Sequence, residues 1–124
     1  LNETIMALKE TARVRKNQGN MKEYAMTQNT LGVTYKEFAN QGIHSEKNLN
    51  FSIETLKEAA SLWKNQKSGG PGYSMAQNSL GMSYQALADM GIQPKENKKR
   101  ADDAFQEEVI LFLVETGSGG SPVE

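Results

Sequence analysis

Apolar side chains recur along this chain at spacings of three and four, the period of a helix with one buried face, and hardly anywhere in the alternation that marks a strand. Leu31, Tyr35, Phe38 and Ala39 share one face, while Lys36, Glu37 and Asn40 fall elsewhere. Ile53, Leu56, Ala60 and Trp63 form a second stripe of the same kind. Residues that stop or start helices stand around these segments. Gly42 and Gly91 follow where a left-handed C-terminal residue is needed, Asn50 or Ser52 suits the cap of the next helix, and Ser68-Gly-Gly-Pro-Gly72 is a break. Only Val109 to Val114 has strand character, and its place in the repeat described next favours helix.

The pattern repeats. Tyr24-Ala-Met-Thr-Gln-Asn-Thr-Leu-Gly-Val-Thr-Tyr35 matches Tyr73-Ser-Met-Ala-Gln-Asn-Ser-Leu-Gly-Met-Ser-Tyr84 at an offset of 49, with seven of twelve positions identical. The register runs on through Ala39/Ala88 and Gly42-Ile43/Gly91-Ile92, and more weakly to Trp63/Phe112. A second match links Leu8-Lys-Glu-Thr-Ala-Arg-Val-Arg-Lys-Asn-Gln18 to Leu56-Lys-Glu-Ala-Ala-Ser-Leu-Trp-Lys-Asn-Gln66 at an offset of 48. With the Tyr-led segment as helix A and the Leu-Lys-Glu segment as helix B, the chain reads B-A-B-A-B. It is expected to be all-α, with five helices over residues 1–116 and a Gly/Ser linker or tail over 117–124.

Leu31-Gly32-x-x-Tyr35 and Leu80-Gly81-x-x-Tyr84 resemble the first helix of a tetratricopeptide repeat. In that family a small residue lets two antiparallel helices approach and the Tyr fills the groove between them. Ser52, Leu56 and Ala59 match the partner helix's small-large-small pattern, whereas Ala101, Phe105 and Glu108 match only its first two positions. The resemblance covers roughly residues 1–114. It departs from the family in three ways: the usual period is about 34 residues, Gln28 and Gln77 stand where a Trp is frequent, and the closing Pro is absent. The long period implies longer helices or an enlarged A-to-B connection at Gly42–Asn50 and Gly91–Lys98.

The resemblance implies an α-solenoid of antiparallel helix pairs whose A helices line a concave, peptide-binding groove. Facing away from the Leu31/Tyr35 stripe are Met26, Asn29, Val33 and Lys36, with repeat mates Met75, Asn78, Met82 and Gln85. Asn29 and Asn78 are suited either to hydrogen-bonding a peptide backbone or to bridging neighbouring helices. The methionines offer an adaptable apolar surface or ordinary helix packing. The family's carboxylate clamp for acidic C-termini is not expected, because Asn29 and Val33 stand at its first Lys and Asn. Lys36 is read as a solvated charge.

Charge and composition add exclusions. Lys and Arg number 14 against 15 Asp and Glu, for a net charge of -1, which does not point to nucleic acid or an anionic membrane. The basic cluster Lys95, Lys98, Lys99 and Arg100 lacks interleaved aromatic residues and reads as a solvated connection before a helix. Asp102, Asp103, Glu107 and Glu108 read as that helix's exposed early turns. The absence of cysteine excludes disulfides and thiolate chemistry, and a cytoplasmic setting is expected. His44, the single histidine, lies in a polar loop without a triad or metal-ligand motif, so no catalysis, metal or cofactor is expected.

The ends suggest a second role. The chain opens at Leu1 inside a repeat, with a B helix that has no A partner, and so reads as a fragment. Val109 to Val114 is apolar all round, not on one stripe, and Ile110, Leu111, Phe112 and Leu113 are therefore candidates for self-association. The leading expectation is a scaffold that binds a protein or peptide, and the alternative is an oligomerisation module.

Overall fold

Five helices make up the computed structural model, which describes residues 2–65 and 70–116, with side chains described for residues 3–65 and 70–107. They are α1 (Asn2–Asn17), α2 (Met21–Asn40), α3 (Ser45–Lys64), α4 (Gly70–Asp89) and α5 (Pro94–Thr116). The order matches the B-A-B-A-B reading, and no strand occurs among the described residues. The long period is taken up by the helices. α2, α3 and α4 each run 20 residues, and only residues 41–44 and 90–93 separate each A helix from its B helix. The enlarged connections expected at Gly42–Asn50 and Gly91–Lys98 are therefore absent.

Both turns are built alike. Gly42 and Gly91 have φ of 81° and 79°, a left-handed backbone that glycine adopts without a Cβ clash. Ile43 N–H then donates to Phe38 C=O at 3.0 Å and Gly42 N–H to Ala39 C=O at 2.9 Å. Ile92 and Gly91 make the same two bonds to Leu87 and Ala88. The next helix starts at once: Asn48 Nδ2 donates to Ile43 C=O at 2.7 Å, and Asn97 Nδ2 to Ile92 C=O at 2.8 Å. Asn50 and Ser52 thus lie inside α3 and are not its caps, because the turn is closed earlier by Ser45 and Asn48. Lys95, Lys98, Lys99 and Arg100 likewise lie on α5 itself, and the acidic residues from Asp102 onward occupy its middle.

Each helix packs against its sequence neighbour, and the one further contact is between α2 and α4. Short connections force neighbours to run antiparallel. Leu49 and Leu56 are closed off at 1% and 0% exposure, at the centre of an apolar cluster that includes Leu80, Leu87 and Ala104. A second cluster gathers Ala25, Ala59, Trp63, Tyr73 and Ala76. Glycine sets how closely the helices approach: a Cβ on Gly32 would lie 2.5 Å from Leu56, and one on Gly81 would lie 2.5 Å from Phe105. Ser52 Oγ donates to Gly32 C=O at 2.7 Å and accepts from Ser83 Oγ at 2.9 Å, so one buried chain of hydrogen bonds ties α2, α3 and α4 together.

Candidate functional site

The eight A-helix positions fall into two groups. Met26, Met75 and Met82 are open to solvent at 48%, 61% and 44% exposure, and Val33 is half-buried. They hold equivalent places on α2 and α4, the two A helices that pack together. Thr30 and Thr34 on the same helix donate their hydroxyl protons to Met26 C=O and Thr30 C=O at 3.1 and 2.8 Å. Their donors are used within α2.

Asn29 and Lys36 are buried, each at 6% exposure. Their repeat mates Asn78 and Gln85 are exposed and half-buried. α2 packs against α1, α3 and α4, and α4 against α2, α3 and α5. Lys36 is therefore not the solvated charge its sequence position suggests. Its stem lies in the packing and its ammonium reaches the exposed Glu37 carboxylate at 3.4 Å. Asn29 Oδ1 has no hydrogen-bond partner among the described residues, so that atom forms no bridge to a neighbouring helix there. Asn78 Nδ2 faces Met82 Sδ at 3.9 Å and Gln85 Nε2 donates to Asp89 at 2.9 Å.

A second repeated constellation was not singled out from sequence. Tyr24 O–H donates to Glu58 at 2.8 Å, and Tyr73 O–H to Glu107 at 2.8 Å, 49 residues along. Gln28 Nε2 adds a 2.7 Å bond to the other Glu58 oxygen, while Gln77 Nε2 turns to Ala104 C=O at 3.3 Å. Burial, and then the neighbouring carboxylate, push each tyrosine up to about 12. The signal was present in the alignment, since Glu58 and Glu107 also stand at the 49-residue offset. Without the paired helix in view, those glutamates read as ordinary exposed charge.

Two clefts open where an A helix ends beneath two B helices. One, of 480 Å³, is lined by Ile5, Lys9, Phe38 and Phe51, and its repeat mate of 390 Å³ by Ile53, Lys57, Leu87 and Arg100. They coincide with the turns described above and bring together no nucleophile–base pair. His44 is exposed beside the first, at the start of α3. No cluster of three or more His, Asp or Glu suited to a metal occurs among the described residues. Nor is any helix there long and apolar enough to cross a membrane. Ile110, Leu111, Phe112 and Leu113 lie in the last turns of α5, and their side chains fall outside the described residues, as does the 117–124 tail.

The chain is an all-α protein of repeated helix pairs, each packed on its neighbours. No family model, curated protein or solved structure matches it.

Proposed function

We propose that this chain is a tetratricopeptide-like recognition module that holds a peptide or partner helix across α2 and α4 and does no chemistry of its own. The observation that carries the reading is the row of solvent-exposed methionines, Met26 and Met75 at equivalent places on two packed helices, with Met82 open at the place of Val33. A soluble surface gains nothing from such exposure unless something covers it, and unbranched thioethers adapt to many shapes. Val33, Asn78 and Gln85 border the row with a half-buried apolar group and two amides. Asn29 and Lys36 are buried and do not belong to the open surface.

Peptides selected from a random library for binding to the whole chain provide the test. Met75→Lys with Met82→Lys, both at exposed positions, is expected to weaken those peptides at least tenfold, on the order of 1.4 kcal/mol or more, with unchanged helicity by circular dichroism. Undiminished affinity in that variant, measured by titration calorimetry, would sink the assignment.

A further inference from the structure

α1 is a copy of α3 at an offset of 48, and its surroundings differ most on one side. Ala12 and Ala60 are equivalent and equally buried, at 5% and 6%, toward the A helix that follows each of them. On the other side the copies diverge. Ser52, Leu56 and Ala59 of α3 are closed completely against α2, at 0% exposure. Their counterparts on α1 are Thr4 and Thr11, which are exposed, and Leu8, which is half-buried.

The carboxylates show the same asymmetry. Glu58 is held by Tyr24 and Gln28 of the preceding A helix, and Glu107 by Tyr73. Glu10, the third member of the series, has no such tyrosine among the described residues and folds onto the Arg13 guanidinium beside it, which holds its carboxyl below the usual range. Both A helices that meet this arrangement carry Tyr-x3-Gln-x3-Gly, as Tyr24, Gln28, Gly32 and as Tyr73, Gln77, Gly81. The glycine is the place where Leu56 or Phe105 enters.

We infer that the free face of α1, centred on Leu8, Glu10 and Thr11, is a docking site for one further helix of the α2/α4 kind, presenting Tyr-x3-Gln-x3-Gly. Leu8 enters over its glycine and Glu10 exchanges Arg13 for its tyrosine. Thr11 Oγ1 already donates to Ala7 C=O at 2.9 Å, so covering it strands no donor. A second copy of this chain is not the occupant, because its own α2 and α4 already spend that face on Leu56 and Phe105. The contact extends the two largest interfaces of the fold, α2 with α3 and α4 with α5. It is independent of the methionine row and stands or falls separately from it.

The probe is a synthetic helix with the sequence of residues 21–40, cross-linked between positions 26 and 30, which are exposed in α2, so that it is helical when free. Titrated into the whole chain, it is expected to bind saturably at one site and to slow amide exchange in α1. Thr11→Arg in the chain, at an exposed position that leaves folding intact, and Gly32→Leu in the peptide are each expected to weaken binding at least tenfold. No saturable binding by the helical peptide, or binding that survives either change, overturns the proposal. Exchange protection confined to α3 or α5 overturns it as well, since the peptide is then displacing a resident helix.

Discussion

Gly32 is a residue at which the packing leaves no room for a side chain. Leu56 is fully buried beside it and has nowhere to swing, so a Cβ 2.5 Å from its Cγ must shift a helix or distort a rotamer. Overpacking of this kind costs about 1–3 kcal/mol, against roughly 0.5–1 kcal/mol gained by removing glycine from a helix interior. Gly32→Ala is expected to lower stability by about 1–2 kcal/mol, seen as a lower urea midpoint with unchanged slope. The tyrosines respond to pH instead. Tyr24 and Tyr73 are raised to about 12 from an ordinary value of 10.0, so folding favours their neutral, donating form. That stabilisation is complete below pH 10 and is lost as pH rises toward about 12. Alkaline unfolding followed by circular dichroism is expected to begin in this window, and Tyr24→Phe with Tyr73→Phe to make stability flatter across it. The shared 49-residue offset of Tyr24/Tyr73 and Glu58/Glu107 was the one signal in the sequence, and it does not by itself pair them, because the hydrogen bond joins residues 34 positions apart.

At the level of elements, Ser52 and Ser83 are the only fully buried polar pair joining two repeats among the described residues. Ser52→Ala leaves Ser83 without its acceptor and is expected to cost about 1–2 kcal/mol, whereas adding Ser83→Ala returns part of that loss. A double-mutant cycle by chemical denaturation reads the coupling, and strict additivity would mean the hydroxyls act independently. Ala101 stands at the place of Ser52 in the next repeat, so this link is made once. The helices themselves were legible in the sequence. Leu31/Tyr35 and Ile53/Leu56 set the faces, and Gly42 and Gly91 stop α2 and α4 as their positions predicted. The starts of α3 and α5 were not legible. Asn48 and Asn97 bond back to the residue after the glycine, a closure that follows from the turn's geometry and leaves Asn50 and Ser52 looking like better caps than they are.

Across the molecule, the described B helices are joined chiefly through the A helices. A stack of this kind derives its stability from nearest-neighbour contacts. The candidate surface was legible only in part. Met26, Met75, Asn78 and Met82 stand open as the spacing suggested, because they face away from the Leu31 and Leu80 stripes. Asn29 and Lys36 could not be told from Asn78 and Gln85 by spacing, since equivalent places in the repeat differ in burial.

Trp63 lies at the join between the two repeats, and it is the chain's single tryptophan. It is 6% exposed, its indole N–H has no partner among the described residues, and Gly72 at the start of α4 leaves space for its ring. Any separation of α3 from α4 admits water to the indole and moves its fluorescence to the red, even while every helix is intact. The chain thus carries its own optical strain gauge, reporting on the seam between repeats and blind to the fraying of either end.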